Sequence, residues 1–235
     1  MKVPLSPRLR ACCSFIAPGD RVADVGTDHG YLGIWLLQQG IARSVIASDI
    51  VPGPLSAARR NAEKYGFADK MEFCLSDGVR NVPRDFDTLV CAGMGADTII
   101  SILDGAFWLR RSCYRLILQC QSKTYMLRRF LSEQGWRITE ETVLRDGRFL
   151  YTVMEVLWDP DAPRLSVGEW YFPPALLKNP SAELPAYYHW VVDGLKIASA
   201  HREDPLLTQA LDALSTLTEA KEVYWFKEET HGNCE

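Results

Sequence analysis

Arg21-Val-Ala-Asp-Val-Gly-Thr-Asp-His-Gly-Tyr-Leu-Gly33 is the stretch that decides the fold. Its first five residues, Arg21–Val25, are mostly small or β-branched and apolar, as in a strand covered on both faces. Gly26 and Gly30 then allow a tight reversal, because a residue without Cβ can take left-handed backbone angles. Tyr31–Gln39 follows with helical patterning. A strand, a glycine turn and a helix form the opening unit of an α/β sheet.

The alternation continues outward from this unit. Strands are expected at Ser44–Ser48, Lys70–Leu75, Phe86–Ala92 and Tyr114–Gln119, and helices at Gly53–Tyr65, Asp97–Ala106 and Lys123–Gln134. Short continuous apolar runs between helices imply a parallel sheet with both faces covered. The ending differs, because Trp136–Leu144 and Arg148–Leu157 flank Asp146-Gly147, a hairpin cue. An antiparallel pair should therefore close the sheet edge. Upstream, Leu5–Ile16 reads as an amphipathic helix with Ser6 as its cap and Pro7 in its first turn. Downstream, Asp159-Pro-Asp-Ala-Pro163 is a break that divides the chain into residues 1–159 and a helical part, 160–235. Residues 183–227 read as two helical stretches interrupted near Asp204-Pro205, and Trp170-Tyr-Phe172 as the anchor between the two parts.

Composition narrows the function. The 235 residues are 47% apolar and 24% charged, an ordinary globular mixture. No apolar run approaches the roughly 20 residues of a membrane span. Met1-Lys-Val-Pro4 does not read as a secretory signal, so none is expected; there is no CxxC pair, and the seven cysteines are odd in number. Reduced thiols, a cytoplasmic location and no metal are the expectation. His189, His201 and His231 show no ligand spacing. The net charge of −4 hides an asymmetry, with 20 Lys/Arg against 18 Asp/Glu in residues 1–159 but 6 against 12 in residues 160–235.

The chemistry should lie after the strands, since open α/β sheets bind ligands at their carboxyl ends. The first turn carries Asp24, Gly26, Thr27, Asp28 and Gly30. Its spacing is not GxGxxG, and its acids would repel a pyrophosphate that seeks bare amides at a helix N-terminus. They suit a cationic ligand with an amine and a sulfonium, which is S-adenosylmethionine; capping acids in a plain αβ turn are the alternative. Asp49, with Ile50 beside it, stands about 20 residues further on, where a ribose diol is held by a carboxylate, or where a helix is capped. Ser76-Asp77-Gly78 offers an acceptor for an adenine amino group. Ala92-Gly93-Met94-Gly95 is expected as a flexible loop bordering the transferred methyl.

Taken together, Leu5-Ser-Pro-Arg-Leu9, Ala23-Asp-Val-Gly-Thr-Asp-His-Gly-Tyr-Leu32, Gly53-Pro54, Ser76-Asp-Gly78, Ala92-Gly-Met-Gly95, Leu116-Ile-Leu-Gln119 and Phe172-x-Pro-x-Leu-Leu-Lys178 resemble the bacterial tRNA (adenine-22-N1)-methyltransferase family. The resemblance spans nearly the whole chain, and the Asp28-His29 pair is its most specific element. It implies a Rossmann-like class I methyltransferase fold of α/β class, with seven mostly parallel strands and an antiparallel last strand. It also implies a small helical, coiled-coil-like C-terminal domain that grips tRNA. The sequence departs from the family's pattern at Ala96, at Asp49 and at Gln119-Cys120-Gln121, the last in place of a Gln-Pro-Asn type sequence.

Adenine N1 already carries a lone pair, so its methylation needs alignment more than a strong base. On this reading Asp28, His29 and Tyr31 line the active site, Asp28 orienting the base or the cofactor amine and Tyr31 serving as a stacking wall. A turn histidine bonded to a nearby carbonyl is the plain alternative for His29. RNA contact would fall to arginines 8, 10, 59, 60, 110, 111, 128 and 129, which could equally be solvated helix faces. A NAD-dependent oxidoreductase would need GxGxxG, which is missing. Methylation of a small molecule or protein, or cofactor and tRNA binding without catalysis, remain open, because the same loops serve any acceptor.

Overall fold

The computed structural model describes residues 3–219. Residues 220–227 of the second expected helical stretch, His231 and Cys234 lie outside the described residues. A short helix α1 (Pro7–Cys13) precedes β1 (Arg21–Val25), α2 (Tyr31–Gln38), β2 (Ser44–Asp49), α3 (Pro52–Tyr65), β3 (Met71–Leu75) and β4 (Thr88–Met94). Then come α4 (Ala96–Asp104), β5 (Arg115–Cys120), α5 (Thr124–Glu133) and the hairpin β6 (Trp136–Asp146)–β7 (Phe149–Trp158). Helices α6 (Val167–Tyr171), α7 (Ala175–Lys178), α8 (Leu184–His201) and α9 (Pro205–Glu219) complete the described chain.

The seven strands form one sheet in the order β3-β2-β1-β4-β5-β7-β6. The first five run parallel, and β7 pairs antiparallel with both β5 and β6. The hairpin closes the edge as expected, but its second strand inserts between β5 and β6 rather than lying outermost. Gly147 (φ 61°), at the first position of the two-residue connection, permits the tight return.

Alternate residues of each inner strand point to opposite faces. Ala23, Val25, Leu89, Cys91, Leu116 and Leu118 join one core under α4 and α5, whereas Val22, Val45, Ala47, Val90 and Ile117 join the other under α1, α2 and α3. Cys12, Cys13, Cys91 and Cys120 are all buried. They serve as small apolar residues, and burial pushes the Cys91 thiol up to about 12. Ser6 caps α1, its hydroxyl accepting from Leu9 N at 3.4 Å, and the helix is shorter than the expected Leu5–Ile16.

A third apolar cluster joins Phe172, Leu176, Leu184, Tyr187, Tyr188 and Leu214 to Val143 of β6, fastening the C-terminal helices to the hairpin. Beside it lies Arg128, 1% exposed, against Glu141, 0% exposed, with Nη2 donating to Oε1 at 2.7 Å. Nη1 donates to the carbonyls of Trp170 and Tyr171, and Nη2 also to the Tyr187 hydroxyl. Arg128 is therefore a structural ion, not the RNA-facing arginine expected. Arg110 and Arg111 precede β5, at the amino edge of the sheet, opposite the carboxyl ends. Apart from the buried Arg128, the doubled arginines are helix or loop surface, Arg59 and Arg60 lying exposed on α3 and Arg129 on α5.

Candidate active site

The strand order reverses between β1 and β4, so a crevice opens at their carboxyl ends. The glycine turn folds over that opening. The Gly26 and Thr27 amides donate to the Ser48 carbonyl at 2.8 and 2.9 Å, tying the turn to the end of β2. Gly30 (φ 73°) starts α2, and a Cβ there would stand 3.0 Å from that of Ala58 on α3. A Cβ on Gly26 (φ 74°) would collide with the Met94 methyl group. Both positions therefore need glycine for their backbone angles and for close approach.

Asp24 is buried at the floor of the turn, its carboxylate accepting from the Thr27 hydroxyl at 2.7 Å. Burial pushes its carboxyl up to about 6, with Asp49 and Asp28 adding to the rise and the Thr27 bond opposing it. Asp28 takes a left-handed conformation (φ 51°), unusual for a side-chain-bearing residue, and its carboxylate is 70% exposed. Its amide donates to Asp49 Oδ2 at 3.2 Å, and the Val51 amide donates to Asp49 Oδ1 at 2.9 Å. Asp49 is thus held by two backbone amides at the strand end. It is not the cap of α3, which is Val51.

His29 is exposed, with Nε2 3.6 Å from Asp28 Oδ1 and its ring 5.9 Å from that of Tyr31. Its backbone carbonyl accepts from the Asn61 side chain. Ser76 is buried, its hydroxyl accepting from the Asn81 amide at 3.0 Å, while Asp77 is exposed. Ala92–Met94 departs from expectation. Instead of a flexible loop it is the end of β4, with a register shift at Gly93 (φ 79°). The Gly93 amide donates to Oε1 of the fully buried Gln119 at 3.0 Å, and the Gln121 amide donates to the Met94 carbonyl at 2.8 Å. A bulge pinned by a neighbouring strand replaces a mobile segment.

Two hollows flank Gly26, which borders both. One, of ≈ 330 Å³, is lined by Asp24, Thr27, Asp28, His29, Tyr31 and Gly93 among others. The other, of ≈ 410 Å³, is lined by Asp49, Ile50, Ser76, Asp77, Gly78 and Met94 among others. The two hollows meet at Gly26, and of the expected site residues all but Gly30 and Gly95 line one or the other. Ser6, Arg8 and Leu9 of α1 and Gln121 also line the first hollow, and Asp97, Thr98 and Ser101 of α4 the second. Arg8 and Gln121 stand out in the sequence for other reasons, whereas Ser6 and Leu9 as lining residues, and Asp97, Thr98 and Ser101, carry no local signal. A glutamine ending the apolar run Leu116–Gln119 is a signal for the buried anchor of the bulge. A split crevice with carboxylates in both halves and a glycine saddle fits an elongated ligand whose cationic part meets Asp24 and Asp28 and whose hydroxyls meet Asp49. Among the described residues, no group of three His, Cys, Asp or Glu is placed to hold a metal ion.

Comparisons with known proteins bear on the family and the fold. The family model described as "Methyltransferase domain" matches residues 5–154. The chain is 29% identical over 154 residues to the tRNA (adenine(22)-N(1))-methyltransferase of Bacillus subtilis (strain 168), covering 65% of each chain. A likeness to the solved B. subtilis M1A22 tRNA methyltransferase TrmK has a TM-score of 0.76 at 25% identity, covering 93% of this chain and 97% of that one. A Streptococcus pneumoniae protein assigned to tRNA (m1A22) methylation and solved in complex with S-adenosyl-L-methionine superposes with a TM-score of 0.80 at 29% identity, covering 91% and 99%. The sequence matches span under two thirds of the length of the curated relatives, 65% and 61% for the first two. The structural matches run through the helical part as well.

Proposed function

The chain belongs to the methyltransferase-domain family whose model spans residues 5–154, and from that membership and the crevice we propose that it methylates N1 of adenine 22 in tRNA with S-adenosylmethionine. The observation that carries the reading is the acid-lined glycine turn, with buried Asp24 and exposed Asp28 on either side of a hollow open to solvent.

S-adenosylmethionine supplies, when bound, an electrophilic methyl on its sulfonium. In this proposal Asp49 accepts from the ribose hydroxyls, with Ile50 covering the sugar or base. Asp77 accepts from the adenine amino group, with Ser76 and Gly78 beside it. Asp24, Gly26, Thr27 and Gly30 hold the amino-acid end, and Ala92, Gly93, Met94 and Gly95 border the methyl. Asp28, His29 and Tyr31 line the space for the target base. N1 attacks with its own lone pair, so no proton has to leave that nitrogen. The Asp28 carboxylate offsets the positive charge that the methylated base acquires, and Tyr31 provides an aromatic face for a base taken out of its stack. The described helices α6–α9 pack on the hairpin, and in this proposal they extend the RNA-facing surface; the cytoplasm, where thiols stay reduced, is the proposed location.

The test is methyl transfer from labelled S-adenosylmethionine to a tRNA transcript carrying adenine at position 22, followed by mapping of the product. We expect 1-methyladenine at that position and loss of label when the base is changed to guanine. Transfer to other nucleotides, or to none, would overturn the acceptor assignment.

A further inference from the structure

A further cavity, of ≈ 400 Å³, lies between the C-terminal end of β5, the start of α5, the start of β7 and α8. Its walls are aromatic and apolar. Tyr125 and Tyr171 stack with ring centroids 4.8 Å apart and 12° between planes, and Trp190, 61% exposed, stands at the mouth, tilted against Tyr187 at 5.7 Å. Burial pushes the Tyr171 phenol up to about 12. The two cationic side chains in its lining are already paired, Arg128 with Glu141 and Lys123 with Asp97, so the cavity offers no free charge to an anion. Thr152, only 2% exposed, lines it, and the Thr152 hydroxyl has no hydrogen-bond partner among the described residues.

This cavity adjoins the active-site hollow. Gln121 borders both. Arg8 borders the hollow, and its guanidinium lies 5.2 Å from the ring centroid of Tyr151, which borders the cavity. An aromatic-walled space beside the site, whose charged lining groups are already paired and whose lining includes the polar side chains of Gln121, Ser122 and Thr124, matches a nucleobase, which stacks by its faces and hydrogen-bonds by its edge. We propose that the cavity is a second base subsite, holding a nucleotide next to the target adenine in the same RNA strand. The inference rests on the RNA reading above and deepens it: when the target base is splayed into the active site, a neighbour is unstacked with it and stacks here among Tyr125, Tyr171 and Trp190.

Gly194 on α8 offers a direct test. It lines the cavity, and a Cβ there meets no atom within 4 Å, so Gly194→Leu adds side-chain volume at the cavity wall from an open position. Filter binding would compare the wild type, Gly194→Leu and Trp190→Ala on the intact transcript and on transcripts lacking the base on either side of the target. Thermal unfolding and S-adenosylhomocysteine binding would be measured alongside. We expect Gly194→Leu to keep its fold and cofactor affinity while losing on the order of tenfold in affinity for the intact transcript, the scale of one base–aromatic stack. One abasic transcript should bind the wild type more weakly by a similar factor, with no further loss in the variant. Equal losses on intact and abasic RNA, or no loss at all, would overturn the subsite. Methyl transfer in the same samples separates the two ideas: a non-additive binding cycle without transfer keeps the subsite and removes the proposed reaction. Transfer by an unaffected Gly194→Leu does the reverse, and a wild type that does not bind the transcript removes both.

Discussion

At the scale of single residues, Asp24 sets stability against ligand binding. Its carboxyl rises to about 6 on burial from an ordinary value of 3.8, so the folded chain holds a proton that the unfolded chain has already released between those pH values. This contribution to stability is therefore fully present below about 4, is lost as pH rises through about 6, and is flat above. By the free energy per pKa unit it amounts to roughly 2–3 kcal/mol. Asp24→Asn keeps an acceptor for the Thr27 hydroxyl and removes the buried charge. The expected result is higher stability than the wild type at pH 7 and equal stability near pH 4, read from urea unfolding at several pH values. S-adenosylhomocysteine, which carries the amine, should bind Asp24→Asn about tenfold more weakly, the scale of a charge-assisted hydrogen bond. Wild-type affinity should climb with pH up to just above 6. A variant less stable than the wild type at pH 7 would refute this account of Asp24.

At the scale of elements, α5, β6 and α6 are joined by one buried guanidinium. Arg128 satisfies Glu141, two carbonyls of α6 and the Tyr187 hydroxyl of α8. Removing one member of such a pair strands the other's charge, at a cost of about 3–5 kcal/mol, whereas replacing both with apolar groups of similar volume is often neutral. Arg128→Met should therefore be strongly destabilised in urea unfolding, and the double variant Arg128→Met/Glu141→Leu should recover most of the loss. Failure of the double variant to recover would mean that the bonds to the α6 carbonyls, not the ion pair, hold the elements together. The same logic of one strand fixing another governs the site, where the buried Gln119 side chain holds the Gly93 bulge in position.

At the scale of the whole molecule, charge decides how RNA can approach. The chain carries −4 overall, with +2 in residues 1–159 and −6 in residues 160–235, so the whole deficit lies in the latter. Of the eight arginines expected to face RNA, Arg128 is sealed inside and Arg110 and Arg111 lie at the far edge of the sheet. Arg8 borders the hollow but is paired with Asp146, and Arg129 is paired with Glu133. Arg59 and Arg60 are exposed on α3, and exposed Arg10, on the helix that borders the site, is left to meet phosphate beside the hollow. Few phosphate contacts mean a shallow salt dependence. Arg10→Glu should weaken transcript binding several-fold at low salt and reduce the salt slope by about one, as removal of one phosphate contact does. Titrations at several salt concentrations with an unchanged slope would place the electrostatic contact elsewhere.

The sequence by itself determined the α/β alternation, the placement of the first glycine turn and the set of strand-end residues that meet at the crevice. These follow from local rules: apolar runs of strand length, glycine where φ is positive, and acids directly after strands. The bulge at Gly93 was not legible, because a loop and a strand end with a register shift share the same glycine-rich signature and only the neighbouring Gln119 distinguishes them. The insertion of β7 between β5 and β6 was also decided by tertiary structure, since a hairpin cue specifies a pair but not which member faces the sheet. Arg128 looked like a surface residue from its doubled neighbour Arg129 and from helical spacing. Its burial depends on Glu141, Trp170, Tyr171 and Tyr187, which lie 13 to 59 residues away. Local chemistry is written in order along the chain, whereas the partners of a buried charge and the walls of the aromatic cavity exist only once distant segments are brought together.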